Sequence, residues 1–293
     1  MNIDRLKSLI QCPGCGAALD FPQHDSLRAI CGRCRFETRD HRFVPHRRPM
    51  RVLRHPILAA DDVLDGVVVE APRIAYRGAP PPRGAVDVMS LLEVTEHAPG
   101  AVLLDVGCGD GEFRSFVAGL GYDWIGIDLV EHGPTLHTDV HALPLRDGSI
   151  DVAMSVAVLE HLEDPFAAVA EIRRVLKPGA RFVGTAAFGE PFHASFFHMS
   201  AWGLAVLFRS QGFVVERLWP CRGTLAALSD MGGYPKAVRW LLRGVERAAR
   251  VPVLSPRRWL RGDTSRAMDA LATAGSIGFC VRHSGQHVVP IER

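Results

Sequence analysis

Six apolar runs, each closed by a turn former or a polar residue, divide the middle and end of the chain: LLDV (103–106), YDWIGIDL (122–129), IDVAMSVAVL (150–159), ARFVGTAAF (180–188), GFVVERLWP (212–220) and SIGFCVRH (276–283). Their length and β-branched content predict buried strands. Between them stand segments with apolar positions at helical spacing. VDVMSLLEVTEH (86–97) predicts one helix; DPFAAVAEIRRVL (164–176) another, with Asp164 as cap and Pro165 in the first turn; SAWGLAVLFRSQGF (200–213) a third, from Ser200 to a stop at Gly212. These are strand–turn–helix units of an α/β fold. Only EHGPTLHT lies between the second strand and Asp139, too little chain for a full crossover helix, so that helix is expected to be a single turn or missing.

The first strand runs into Gly-x-Gly-x-Gly at Gly107, Gly109 and Gly111, framed by Asp105 and Glu112. Glycines here let backbone approach a ligand closely. A dinucleotide turn places its third glycine later and cradles a pyrophosphate. Two framing acids would repel a pyrophosphate, but they suit the cationic amino-acid end of S-adenosylmethionine. Asp128 closes the second strand about twenty residues on, where an acid accepts ribose hydroxyls. With these residues, the DGSIDVAMSVAVLEHL segment (147–162) and the Lys-Pro-Gly turn at 177–179, the chain resembles the class I S-adenosylmethionine-dependent methyltransferases over about 85–220 and again at 276–283. Its pattern is most similar to the small-molecule, type 11-like branch.

The resemblance implies a doubly wound, seven-stranded Rossmann-like sheet of order 3-2-1-4-5-7-6, its seventh strand antiparallel. It also implies a cofactor site of Asp105, Gly107, Cys108, Gly109, Gly111, Asp128, Leu129, Asp139 and Val140, with Asp139 facing the adenine amino group.

Four of the seven cysteines fall into two Cys-x-x-Cys knuckles, Cys12/Cys15 and Cys31/Cys34. That separation suits four thiolates on one structural zinc, the pattern of a zinc ribbon. Two disulfides or a redox pair is the competing reading, disfavoured in a reducing compartment. The domain reading is a ribbon at 1–45, an Arg/Pro-rich connector at 46–82, and a methyltransferase domain at 83–293 carrying a basic helical insertion at 221–275. No apolar run is long enough to span a membrane and the first ten residues lack a signal peptide's apolar stretch, so a cytoplasmic enzyme is expected.

Methyl transfer to a hydroxyl needs alignment and a base. His161 follows the fourth strand; His193 and His198 follow the fifth, among Phe188, Phe192, Phe196 and Phe197. Each is a candidate base, and each has the alternative of a packed or hydrogen-bonded histidine. Glu160 and Glu190 are weaker candidates for orienting a base or an amine. The acceptor expected from the resemblance is a small molecule methylated on O or N in specialised metabolism. RNA is the alternative, because charge is unevenly spread. Between 28 and 54 nine arginines face Glu37 and Asp40, and between 236 and 261 eight Lys/Arg face only Glu246. That second segment reads as a lid over the substrate, as a surface for an anionic partner, or as a helix packed on the domain by its Leu and Trp residues. A further alternative is a cofactor-binding partner protein without methyl transfer.

Overall fold

The computed structural model describes residues 1–24, 26–34, 36–38, 42–43, 64, 66–72, 86–129, 133–190, 195–249 and 270–285. Most of the connector, His193 and residues 250–269 lie outside them.

The chain begins with α1 (Ile3–Leu9), capped by the Asn2 side chain, followed by the two cysteine knuckles and the short strand β1 (Arg42–Phe43). After β2 (Val68–Val69) and α2 (Val86–Val94) comes the central alternation: β3 (Val102–Val106), α3 (Arg114–Gly119), β4 (Asp123–Asp128), β5 (Leu136–Thr138), β6 (Ile150–Val156), α4 (Pro165–Val175), β7 (Leu176–Ala187), α5 (Ala201–Ser210) and β8 (Phe213–Gly223). Helices α6 (Thr224–Met231) and α7 (Lys236–Ala249) precede the last strand, β9 (Ala274–His283). As expected, Asp164 accepts from the Ala167 amide with Pro165 in the first turn, and Ser200 accepts from the Gly203 amide.

The strands form one sheet of order β1-β5-β4-β3-β6-β7-β9-β8-β2, parallel except that β9 runs against both its neighbours. Its central seven keep the order 3-2-1-4-5-7-6. The expectation of seven strands is corrected to nine among the described residues: two-residue strands β1 and β2 add to the edges at β5 and β8, pairing backbone that would otherwise be left open. A second difference is at Lys177–Gly179, expected as a turn before the fifth strand. Leu176 already pairs with Ile150, and the register then jumps to Arg181 opposite Val152, so the turn is a bulge inside β7.

Alternation along β3 shows how both faces are covered. Val102, Leu104 and Val106 join a core with α4, α5 and the N-terminal segment, while Leu103 joins one with α2 and α3. The N-terminal segment is not a separate body. Leu6, Ile10, Cys12, Cys31, Phe36 and Phe43 are buried in the same core as Ile125, Leu136 and Leu145 of the sheet. Backbone bonds weld it there: Gln11 N to Pro144 O at 2.9 Å, Arg146 N to Leu9 O at 2.7 Å, and the Thr138 hydroxyl to Phe43 O at 3.1 Å. Arg5 bonds both the Asp123 carboxylate and the Gly100 carbonyl. No helix connects β4 to β5 among the described residues, and the N-terminal segment pairs with β5 and packs on the sheet beside it.

Candidate functional site

The glycine turn sits at the carboxyl end of β3, where the strand order reverses between β3 and β6 and a crevice must open. Gly107 has φ +70°, and an added Cβ would lie 2.3 Å from a Val158 methyl, so both conformation and space demand glycine there. The crevice is a cavity of about 470 Å³, lined by Gly107, Ile127, Asp128, Leu129, Thr138, Asp139, Val140 and His141 on one side. Ala157, Val158, His161, Leu162, Glu163 and Phe196 line the other. Its size is in the range of small-molecule sites.

Asp128 is held in this wall by two amides: Gly109 N donates to Oδ2 at 2.8 Å and Leu129 N to Oδ1 at 2.6 Å. Asp139 caps the short turn Val140–Ala142, with Oδ1 accepting from the His141 amide at 2.9 Å and lying 2.5 Å from the His141 ring Nδ1. His141 was not anticipated; its one sequence signal is the Asp-x-His spacing that lets a side chain fold back on its own cap.

Asp105 does not line the cavity. It lies beneath the turn, 1% exposed, with Trp124 Nε1 donating to its Oδ2 at 3.0 Å. Sequence reasoning missed this partner, although the register contains it. Gly126 stands directly opposite Asp105, and an added Cβ there would meet the Trp124 ring at 2.2 Å. The missing side chain lets the indole lie across the strand to the diagonal carboxylate. Burial pushes the Asp105 carboxyl from 3.8 up to about 7, opposed by the indole hydrogen bond and reinforced by the charge of Asp128. Burial, reinforced by the charges of Asp105 and Asp128, raises the Cys108 thiol pKa, which disfavours the thiolate there. Gly109 and Gly111 take positive φ in the turn without lining the cavity.

Of the histidine candidates, His161 faces the cavity from the turn Leu159–His161. Its neighbour Glu160 is fully buried and acts as a staple: Oε1 accepts from the Ala187 amide at 3.0 Å, and its carbonyl accepts from Phe196 N and Phe197 N at 2.9 and 3.1 Å. His198 donates from Nδ1 to the Phe188 carbonyl at 2.6 Å and does not line the cavity. His193 lies outside the described residues. Ala157, at the end of β6, has φ +56°, a left-handed conformation unusual for alanine, held by its amide on the Thr185 carbonyl at 3.1 Å.

In the N-terminal segment, the sulfurs of Cys12, Cys15, Cys31 and Cys34 all lie within 4.8 Å of one another. Cys12–Cys34 and Cys15–Cys31 are 3.4 and 3.6 Å apart, too far for disulfides, which need about 2.05 Å. They approach the edge of roughly 3.8 Å that a tetrahedron of 2.3 Å zinc–sulfur bonds requires.

Residues 104–184 match the family model of a methyltransferase domain. The matched segment runs from the middle of β3 through the cavity-lining residues of β4 to β6 and into β7. Among curated proteins, the chain is 40% identical over 118 residues to an uncharacterized 37.1 kDa protein in transposon TN4556 of Streptomyces fradiae, covering 34% of this chain and 33% of that one. It is 32% identical over 145 residues to a protein of Mycolicibacterium smegmatis named as a probable S-adenosylmethionine-dependent methyltransferase, covering 42% and 56%. It is 33% identical over 84 residues to a Dictyostelium discoideum protein named as a probable 18S rRNA (guanine-N(7))-methyltransferase, covering 25% and 29%. The chain therefore spans about a third of the length of the first curated relatives it matches, and more of the mycobacterial protein.

Proposed function

We propose that the chain transfers the methyl group of S-adenosylmethionine to an oxygen or nitrogen atom of a small-molecule acceptor in specialised metabolism, giving S-adenosylhomocysteine. One observation carries this reading: a single cavity is walled by acids at the ends of β4 and β5, and across from them by His161 and the aromatic Phe196. One wall suits a nucleoside with hydroxyl and amino donors, and the other suits an apolar acceptor with a removable proton.

The residues fit the cofactor. Asp128 and Asp139 are acceptors for the ribose diol and the adenine amino group, and Leu129 and Val140 give the base apolar contacts. Asp105, buried beneath the turn and outside the cavity lining, can favour a bound cation through its charge but not by contact. When bound, the cofactor supplies an already activated methyl group, so the protein need only align an acceptor and take its proton. His161 is the candidate for that proton, held in place by the turn that Glu160 staples. The four-cysteine cluster is assigned to a structural zinc, closed to water and substrate.

RNA is the second reading, supported by the named activity of the Dictyostelium relative and by the arginines around the ribbon. Incubation with methyl-labelled S-adenosylmethionine and, in parallel, total RNA and a small-molecule extract separates the two. Label in the small-molecule fraction is expected; label in RNA overturns the reading.

A further inference from the structure

Helix α7 segregates its residues around the axis. Val238, Leu241, Leu242 and Val245 share one face, and Lys236, Arg239 and Arg243 share the opposite one. In a helix packed on a globular body the apolar face turns inward. Here Arg239 and Leu242 are half-buried, whereas Leu241 is 58% exposed, Val245 50%, and Trp240, next to Lys236 on the cationic side, 78%. Among the described residues, Trp240 and Leu241 therefore do not pack α7 on the domain.

We propose that α7 is an interfacial helix that lays its exposed apolar face into an anionic lipid surface. The chemistry favours lipid over the other occupants. A row of aliphatic side chains on one face with cationic ones on the other matches acyl chains beneath anionic headgroups. Nucleic acid would use the cations and the indole but has no use for Val238, Leu241 and Val245. A protein groove would take the apolar face but leaves the charge unexplained: from 236 to 261 the chain carries eight Lys/Arg against one acid. None of the described helices is long and apolar enough to cross a membrane, so the helix lies on the surface and does not span.

Topology places this surface at the working end of the sheet. Strand β8 runs parallel to β7, so α6 and α7 leave it at the carboxyl end, where the cavity opens. The loop after β7 is fixed to the base of the insertion by Phe188 N and Gly189 N on the Gly275 carbonyl, at 2.7 and 2.8 Å. That loop carries Phe196, which lines the cavity yet is largely exposed.

The test is cosedimentation of the full chain with vesicles of phosphatidylcholine alone and of equal phosphatidylcholine and phosphatidylglycerol. Binding to the anionic vesicles is expected, at least tenfold weaker on the neutral ones. Leu241→Glu should reduce binding at least tenfold with circular dichroism and S-adenosylmethionine affinity unchanged; Lys236→Glu should weaken only the anionic-lipid component. No sedimentation with either vesicle overturns the proposal, as does undiminished binding by Leu241→Glu. Salt-sensitive binding to a single-stranded RNA oligomer without vesicle binding, or a dimer that Leu241→Glu dissociates, assigns the surface elsewhere. Cofactor affinity is read separately, so failure here leaves the methyltransferase reading standing.

Discussion

Asp105→Asn isolates the one buried carboxyl under the glycine turn. In the native protein this group holds its proton to about pH 7, against 3.8 ordinarily, because burial disfavours the charge more than the Trp124 bond favours it. Its folded pKa is raised, so the folded protein binds the extra proton between about 4 and 7. The stability this group contributes is full below about 4, falls as pH rises, and is gone above about 7. Some three pH units at 1.36 kcal/mol each give a loss of about 4 kcal/mol across that window. The asparagine keeps an oxygen for the indole and cannot ionise; any fixed cost of its buried amide is the same at every pH. Urea unfolding of both proteins at half-unit steps from pH 4.5 to 8 should give curves that diverge, the native protein losing several kcal/mol relative to the variant. Parallel curves would refute the reasoning, showing that Asp105 ionises as an ordinary carboxyl and that its burial is compensated by charge.

Asp128→Ala should weaken S-adenosylmethionine binding by about 1.5–3 kcal/mol in calorimetry, since a charged acceptor is lost from the cavity wall; unchanged affinity removes it from the site. Phe43→Ala, at the fully buried joint between the N-terminal segment and β5, should cost about 3–5 kcal/mol of unfolding free energy. Ala157→Gly should raise stability by as much as about 1 kcal/mol by relieving a left-handed alanine, and a lower melting temperature would count against strain there. Chelation of metal, checked by elemental analysis, should lower the melting temperature of the whole protein in one transition, whereas loss of residues 1–45 alone would show an independent module.

Much of the parallel core was legible because strands buried on both faces write themselves as apolar runs, and because caps such as Asp164 and Ser200 are local chemistry. The order of the central strands and the positions of Asp128 and Asp139 followed from a resemblance carried by a few turn residues. Three things were not legible, each for a stated reason. The Trp124–Asp105 bond depends on register across two strands, and a sequence shows only the separation of nineteen residues. The two edge strands are two residues long, below any periodicity. The bulge at Lys177–Gly179 reads like a turn because the same residues make both. Among the histidines, sequence placed three at the ends of strands, but only the fold distinguishes a ring facing a cavity, His161, from one spent on a carbonyl, His198.

The lack of a helix between β4 and β5 among the described residues and the docking of the N-terminal segment there are one physical fact. A parallel strand near the edge needs an apolar layer on its faces, and the eight residues before Asp139 cannot provide one. Ile10, Phe36 and Phe43 provide it instead, brought there by α1 and by β1 pairing with β5. The sulfurs of Cys12, Cys15, Cys31 and Cys34 draw together the turns that carry this layer. The wall of the cavity is continuous with this arrangement: Thr138, which bonds the Phe43 carbonyl, immediately precedes Asp139. The cysteine cluster is thereby tied, through one short strand, to the residue assigned to the adenine. Loosening the cluster is expected to be felt as lost cofactor affinity before it is felt as lost chemistry at His161.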